Sequence, residues 1–94
     1  MKDIKIVFNK NEKRSEAYDG DKQIGMCEYR EDGENINIYH TEVDPNYGGM
    51  GLASKLLDEV VDAARNENIK IIPTCSYAVK KFDEDPKYED VDAR

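Results

Sequence analysis

Residues 40–61 read HTEVDPNYGGMGLASKLLDEVV. The stretch opens as an extended segment, passes Pro45, and meets Gly48, Gly49 and Gly51 within four positions. From Leu52 the spacing turns helical. Leu52, Leu56, Val60 and Ala64 recur every fourth residue, Ala53, Leu57 and Val61 widen that stripe, and Lys55, Asp58, Glu59, Asp62 and Arg65 cover the other side. This predicts an amphipathic helix of about four turns, entered from a strand through a glycine turn. Glycine accepts positive φ and lets a ligand approach the backbone. The first N–H groups of a helix have no partner within it, and the positive end of the helix dipole lies behind them. Such a turn either holds an anion or is only a tight turn, and the spacing alone leaves both open. It is neither the GxxxxGK[ST] loop nor the GxGxxG fingerprint of nucleotide-binding folds.

The helix sits inside a longer alternation. IKIVF at 4–8, RSEAY at 14–18, QIGMCEYR at 23–30 and INIYHTEV at 36–43 read as strands, rich in β-branched and aromatic residues. DGDK at 19–22 and EDGEN at 31–35 are hairpin turns between them. After the helix, IKII at 69–72 is a short buried strand stopped by Pro73, and SYAVKKF at 76–82 is a short final helix. Thr74 or Ser76 is expected to cap it. The predicted order is β-β-β-β-α-β-α. It describes an α+β domain: a mixed five-stranded sheet, one long helix and a short C-terminal helix. The first four strands form an antiparallel meander, and the strand–helix–strand unit makes a right-handed crossover. Residues 1–94 are expected to form a single domain. The acidic segment from about 83 to 94 is expected to be loose.

Ninety-four residues allow one modest core. The net charge of −7 disfavours nucleic acid as a partner, because phosphate-backbone binding needs a basic face. It does not exclude a small anion held by uncharged N–H groups. Two cysteines make no disulfide framework. With no long apolar run and no signal segment, they point to a cytoplasmic protein with free thiols and no membrane partner. One histidine and two distant cysteines make no metal site.

Gly48-Gly49-Met50-Gly51-Leu52-Ala53 resembles the acyl-CoA motif Gln/Arg-x-x-Gly-x-Gly/Ala of the GNAT N-acetyltransferase superfamily. Gly51 and Ala53 match it. Gly48 stands where the family has Gln or Arg, which removes a side chain and keeps the backbone donors. EVDPNYGGMG before the helix, HTEV on the fourth strand and IIPTCSYAVKKF after the helix are similar to a minimal, single-domain GNAT-like group. The resemblance covers about residues 14–82. As in that group, the two helices between the first strands and the usual sixth and seventh strands are missing. Those parts generally build the acceptor pocket. The resemblance implies acetyl-CoA as co-substrate. Backbone N–H groups from Gly49 to Ser54, through Met50, Gly51, Leu52 and Ala53, would hold its pyrophosphate. Thr41 to Val43 would run beside the pantetheine arm, between splayed fourth and fifth strands. Lys55, Lys80 and Lys81 are candidates for the 3′-phosphate.

In that frame four residues are candidates for chemistry. Cys75 follows a strand and precedes a helix, and a thiol at a helix N-terminus carries more thiolate. It is the candidate nucleophile of a double-displacement route, with burial as a small apolar residue the alternative. Cys27, in mid-strand, reads as core. His40 is a candidate base for Cys75 or for an incoming amine. By simple alternation it shares a face with Ile36, Ile38 and Glu42. The resemblance adds Glu42 as a second base and Tyr77 as proton donor to the leaving thiolate. The reading is an N-acetyltransferase acting on an unidentified amine. The alternatives are a non-catalytic acetyl-CoA sensor and an interaction module that binds no CoA.

Overall fold

A computed structural model of the chain describes residues 3–94. Its elements follow the predicted order: β1 (Ile4–Asn9), β2 (Arg14–Asp19), β3 (Lys22–Asp32), β4 (Asn35–Val43), α1 (Leu52–Asn66), β5 (Ile71–Pro73) and α2 (Ser76–Glu84). Short 3-10 turns lie at Pro45–Tyr47 and Pro86–Tyr88. The sheet order is β1-β2-β3-β4-β5. The first three pairings are antiparallel and β4–β5 is parallel. The fold is the predicted mixed five-stranded α+β architecture.

α1 covers one face of the sheet. Leu56, Leu57, Val60 and Val61 are almost wholly removed from solvent there, each contributing about 1.5–3 kcal/mol of apolar burial. The buried Ser15 hydroxyl donates to the Leu56 carbonyl at 2.7 Å and ties β2 to the helix. Gly25 on β3 lets α1 come close: a Cβ there would stand 3.0 Å from both the Glu42 carbonyl oxygen and Leu56 Cδ1. The helix ends in a left-handed residue, Asn68 at φ 58, with the Ile69 N–H bonded back to the Ala64 carbonyl.

β4 does not keep one phase. Tyr29 pairs with Ile38 and Glu28 with His40, so Tyr39 is an extra residue in the ladder. Such a bulge exchanges the two faces of the strand beyond it. Before it, Ile36 and Ile38 face the core; after it Thr41 does, opposite buried Cys27. His40 therefore does not share a face with Ile36 and Ile38, as alternation suggested. It lies on the outer face, opposite α1, with its Nε2 3.6 Å from Glu42 Oε1.

The C-terminal segment is not loose. The Val91 carbonyl accepts the Ile71 N–H at 2.6 Å, and the Ala93 N–H donates to the Ile71 carbonyl at 2.9 Å. This covers the exposed edge of β5. Tyr88 is 1% and Val91 2% exposed. The Tyr88 ring stacks on Phe82 at 4.9 Å, and its hydroxyl donates to Asp58 on α1 at 2.5 Å. Arg65 binds Asp90 through two nitrogens. The acidic composition hides two apolar anchors and the partners of α1.

Candidate functional site

The site forms where β4 and β5 part. They pair over Ile36–Ile38 and Ile71–Pro73 only. The Ile38 carbonyl then accepts both the Thr74 and the Cys75 N–H, at 2.9 and 3.2 Å, and the chain turns into α2. β4 runs on to Val43 without a neighbour on that side. The Asp44 N–H bonds to the Ile24 carbonyl of β3 at 2.7 Å. By the two-residue alternation of an antiparallel ladder, His40 and Glu42 spend their backbone groups on β3. Those of Thr41 and Val43 then point to the open side.

That open edge leads to the glycine turn. Asp44 caps the 3-10 turn by accepting the Asn46 N–H at 2.9 Å, and buried Tyr47 donates to Asp19 at 2.5 Å, which anchors the turn to β2. Gly49 (φ 80) and Gly51 (φ 70) then use the left-handed region. Gly51 is the N-cap of α1, and no side chain caps the helix. The first helical bond runs from the Lys55 N–H to the Gly51 carbonyl, so the N–H groups of Leu52, Ala53 and Ser54 lie ahead of the ladder. Beyond the adjoining residues, nothing lies within 4 Å of where a Cβ would stand at Gly49 or Gly51. Bare donors, a helix dipole and free space fit a phosphate-bearing ligand. Met50, 40% exposed, presents apolar surface beside them, and Lys55 is exposed in the first turn of α1.

Cys75 itself, not Thr74 or Ser76, caps α2: its Sγ accepts the Ala78 N–H at 3.4 Å. The Thr74 hydroxyl is engaged with Asn37 and the Ile38 carbonyl, which leaves the cap to the next residue. Thr41 Oγ1 lies 3.6 Å from Cys75 Sγ and 3.5 Å from Cys27 Sγ. Cys27 is fully buried, and that burial pushes its thiol up to about 12; it is core, as read from sequence. Tyr77 is half-buried on the first turn of α2. Burial raises its phenol above the ordinary value, and an interaction with Ser54 of α1 acts against that rise. Thr41, Cys75, Tyr77 and Ser54 thus gather on the helix side of the open edge. His40 and Glu42 stand across the sheet and touch none of them. Lys80 and Lys81 lie further along α2.

Two clefts among the described residues bear on the placing of the site. One of about 480 Å³ borders Glu42 and is lined by Gln23, Met26, Val43 and Pro45. The other, about 310 Å³, lies by the C-terminal end of α1 between Tyr29, Ile36 and Ile69 and shares no residue with the site. Among the described residues no group of three or more His, Cys, Asp or Glu side chains could hold a metal ion. Sequence reasoning missed two positions. Gly25 had a signal, since glycine inside a strand often marks close backbone approach. The side chain of Thr41 had none, because its partners come from β3 and α2.

A family model described as GCN5-related N-acetyl-transferase matches residues 14–91. The chain belongs to this family. It is also similar to a GCN5-like protein from Staphylococcus aureus studied by NMR, with 36% identity and a TM-score of 0.74, covering 93% of this chain and 85% of that one. A GNAT family acetyltransferase from Elizabethkingia anophelis, solved with acetyl-CoA bound, shares the fold at a TM-score of 0.60 and 22% identity. There the match covers 80% of this chain and 51% of the other, about half the length of that larger enzyme. The glycine turn, the open β4 edge and α2 all fall within the family match.

Proposed function

We propose that this family member binds acetyl-CoA along the open edge of β4 and transfers the acetyl group to an amine. One observation carries the reading. A row of unpartnered N–H groups at the start of α1 continues directly into the free backbone edge of Thr41 and Val43, and that edge ends beside Cys75. The turn from Gly48 to Ser54 holds the pyrophosphate, with Lys55, Lys80 and Lys81 available to the 3′-phosphate. Thr41 and Val43 bond the pantetheine amides. Acetyl-CoA supplies the activated acetyl group as a thioester.

Cys75 as thiolate attacks the thioester carbonyl. Its bond to the acetyl carbon forms, the bond to the CoA sulfur breaks, and the leaving thiolate takes a proton from the Tyr77 hydroxyl. The amine then attacks acetyl-Cys75 on the helix side of the sheet: its bond to the acetyl carbon forms, the bond to Cys75 Sγ breaks, Cys75 leaves as thiolate, and the amine proton returns to the Tyr77 phenolate. His40 and Glu42, across the sheet from Cys75, take no direct part in either step. Among the described residues no helix covers that outer face of the sheet. The same bareness favours a second reading, an acetyl-CoA sensor without transfer. No helix among the described residues is long and apolar enough to cross a membrane. With its free thiols, the protein fits the cytoplasm.

Calorimetric titration with acetyl-CoA, with ATP as control, tests the binding. Saturable one-site binding is expected for acetyl-CoA and none for ATP. Cys75→Ala tests the route: it should keep acetyl-CoA binding and lose transfer to amines. Normal transfer by this variant would rule out the covalent step. Binding without transfer by the wild type would select the sensor.

A further inference from the structure

The Thr41 side chain stands between the two thiols of this protein. Its Oγ1 is 3.5 Å from Cys27 Sγ and 3.6 Å from Cys75 Sγ. The other hydrogen-bond partner of Cys75 Sγ is the Ala78 N–H at 3.4 Å. A hydroxyl carries one hydrogen and two lone pairs, so Thr41 donates to one thiol while accepting from the other. With Cys75 protonated, its S–H donates to Thr41 and the Thr41 O–H donates to Cys27. With Cys75 ionised the order reverses: the Cys27 S–H donates to Thr41 and the Thr41 O–H to the thiolate. No covalent bond along this chain breaks. Two hydrogens rotate, and the proton that Cys75 loses goes to water or a buffer base.

We propose that the Thr41 hydroxyl, backed by the Cys27 S–H, is the positioning group that hydrogen-bonds the Cys75 sulfur as it acts as nucleophile. The proposal deepens the reading of Cys75 as acetyl acceptor and rests on it for its catalytic meaning. The geometry suits the role. Hydrogen bonds to the charged form favour that form, and Thr41 together with the Ala78 N–H gives the thiolate two donors. Burial keeps Cys27 protonated through the neutral range, so it always has a hydrogen to give and never competes as a second thiolate. The groups facing Cys75 are Cys27 from β3, Thr41 from β4, and Ala78 with neighbouring Tyr77 from α2; Ser54 and Asp58 of α1 act on Tyr77. His40 and Glu42 are across the sheet and cannot substitute.

The test needs no acetyl-CoA. Alkylation of Cys75 by iodoacetamide is followed by intact mass between about pH 5 and 9, on the full chain, with buried Cys27 protected. Thr41→Val keeps the β-branched shape and the strand preference. It is expected to slow alkylation at neutral pH about tenfold, the size of a lost charge-assisted bond. Thr41→Ser should restore the rate, and Cys27→Ala should fall between. A Thr41→Val profile that superimposes on wild type overturns the proposal. So does a Ser variant that behaves like Val, since the effect would then be packing. These results are separable from the acetyl reading. Normal acetyl transfer by Cys75→Ala removes the covalent route and leaves the thiol geometry standing. An unchanged alkylation profile removes the Thr41 role alone.

Discussion

Replacing Gly51 by Ala and by Asn separates the two uses of the glycine turn. Gly51 caps α1 at φ 70 and ψ 22, and an added Cβ meets nothing within 4 Å. The cost in Ala is therefore its own backbone strain, about 1–2 kcal/mol for an L-residue in the left-handed region. Narrowing of the unfolded ensemble offsets this by about 0.4–1 kcal/mol. A net loss of about 1 kcal/mol lowers the Tm of a domain this size by roughly 4–8 °C. Acetyl-CoA binding suffers separately, because a side chain fills open space at the turn that the proposed pyrophosphate site uses. Losing one charge-assisted hydrogen bond, about 1.5–3 kcal/mol, weakens binding at least about tenfold. Asn accepts the left-handed conformation more readily than Ala, and its side chain fills the same open space. Gly51→Asn should thus be more stable than Gly51→Ala while binding acetyl-CoA as weakly. Thermal unfolding and calorimetry on the three proteins check this. Wild-type affinity in both variants would mean that the turn is structural and that the cofactor, if bound, sits elsewhere.

Three further outcomes follow from the packing. Gly25→Ala places a methyl 3.0 Å from Leu56 Cδ1 and the Glu42 carbonyl. It should cost about 1–3 kcal/mol by thermal unfolding, and an unchanged Tm would show that α1 yields without cost. Burial raises the Glu16 carboxyl, but bonds from Arg14, Tyr18 and Asn9 outweigh that and leave it below its ordinary value. A depressed carboxyl stabilises the fold above its unfolded value and ceases to do so as pH falls through the folded one. Glu16→Gln should therefore cost about 1–3 kcal/mol at neutral pH, with the gap to wild type closing as urea unfolding is repeated from about pH 5 to 3; a pH-independent gap contradicts the assignment. Tyr88→Phe keeps the stack on Phe82 and loses the bond to Asp58. A loss of about 1.5–3 kcal/mol is expected in urea, and no loss would mean that apolar contact alone docks the C-terminal segment.

The element order, the mixed α+β class and the family were legible because they are written in local signals. The four-residue stripe from Leu52 to Ala64 is a helix in any context that offers an apolar surface. Asp-Gly pairs mark hairpins, and Gly48 to Gly51 marks the entry to α1. What each side chain meets is a different kind of information. The phase of β4 depends on two residues, Tyr39 and His40, standing against one, Glu28, on another strand. No pattern within INIYHTEV reveals that count. It sends His40 and Glu42 to the outer face and brings Thr41 to Cys75. The docking of the C-terminal segment likewise depends on Asp58, Phe82 and the free edge of β5, all distant in the chain, while its own composition suggests only solvation. Sequence by itself determined the elements and the turn, since backbone propensity and hydrophobic period act over a few residues. Tertiary structure alone decided which thiol meets which hydroxyl, because those contacts are set by strand register and by helices that close over it.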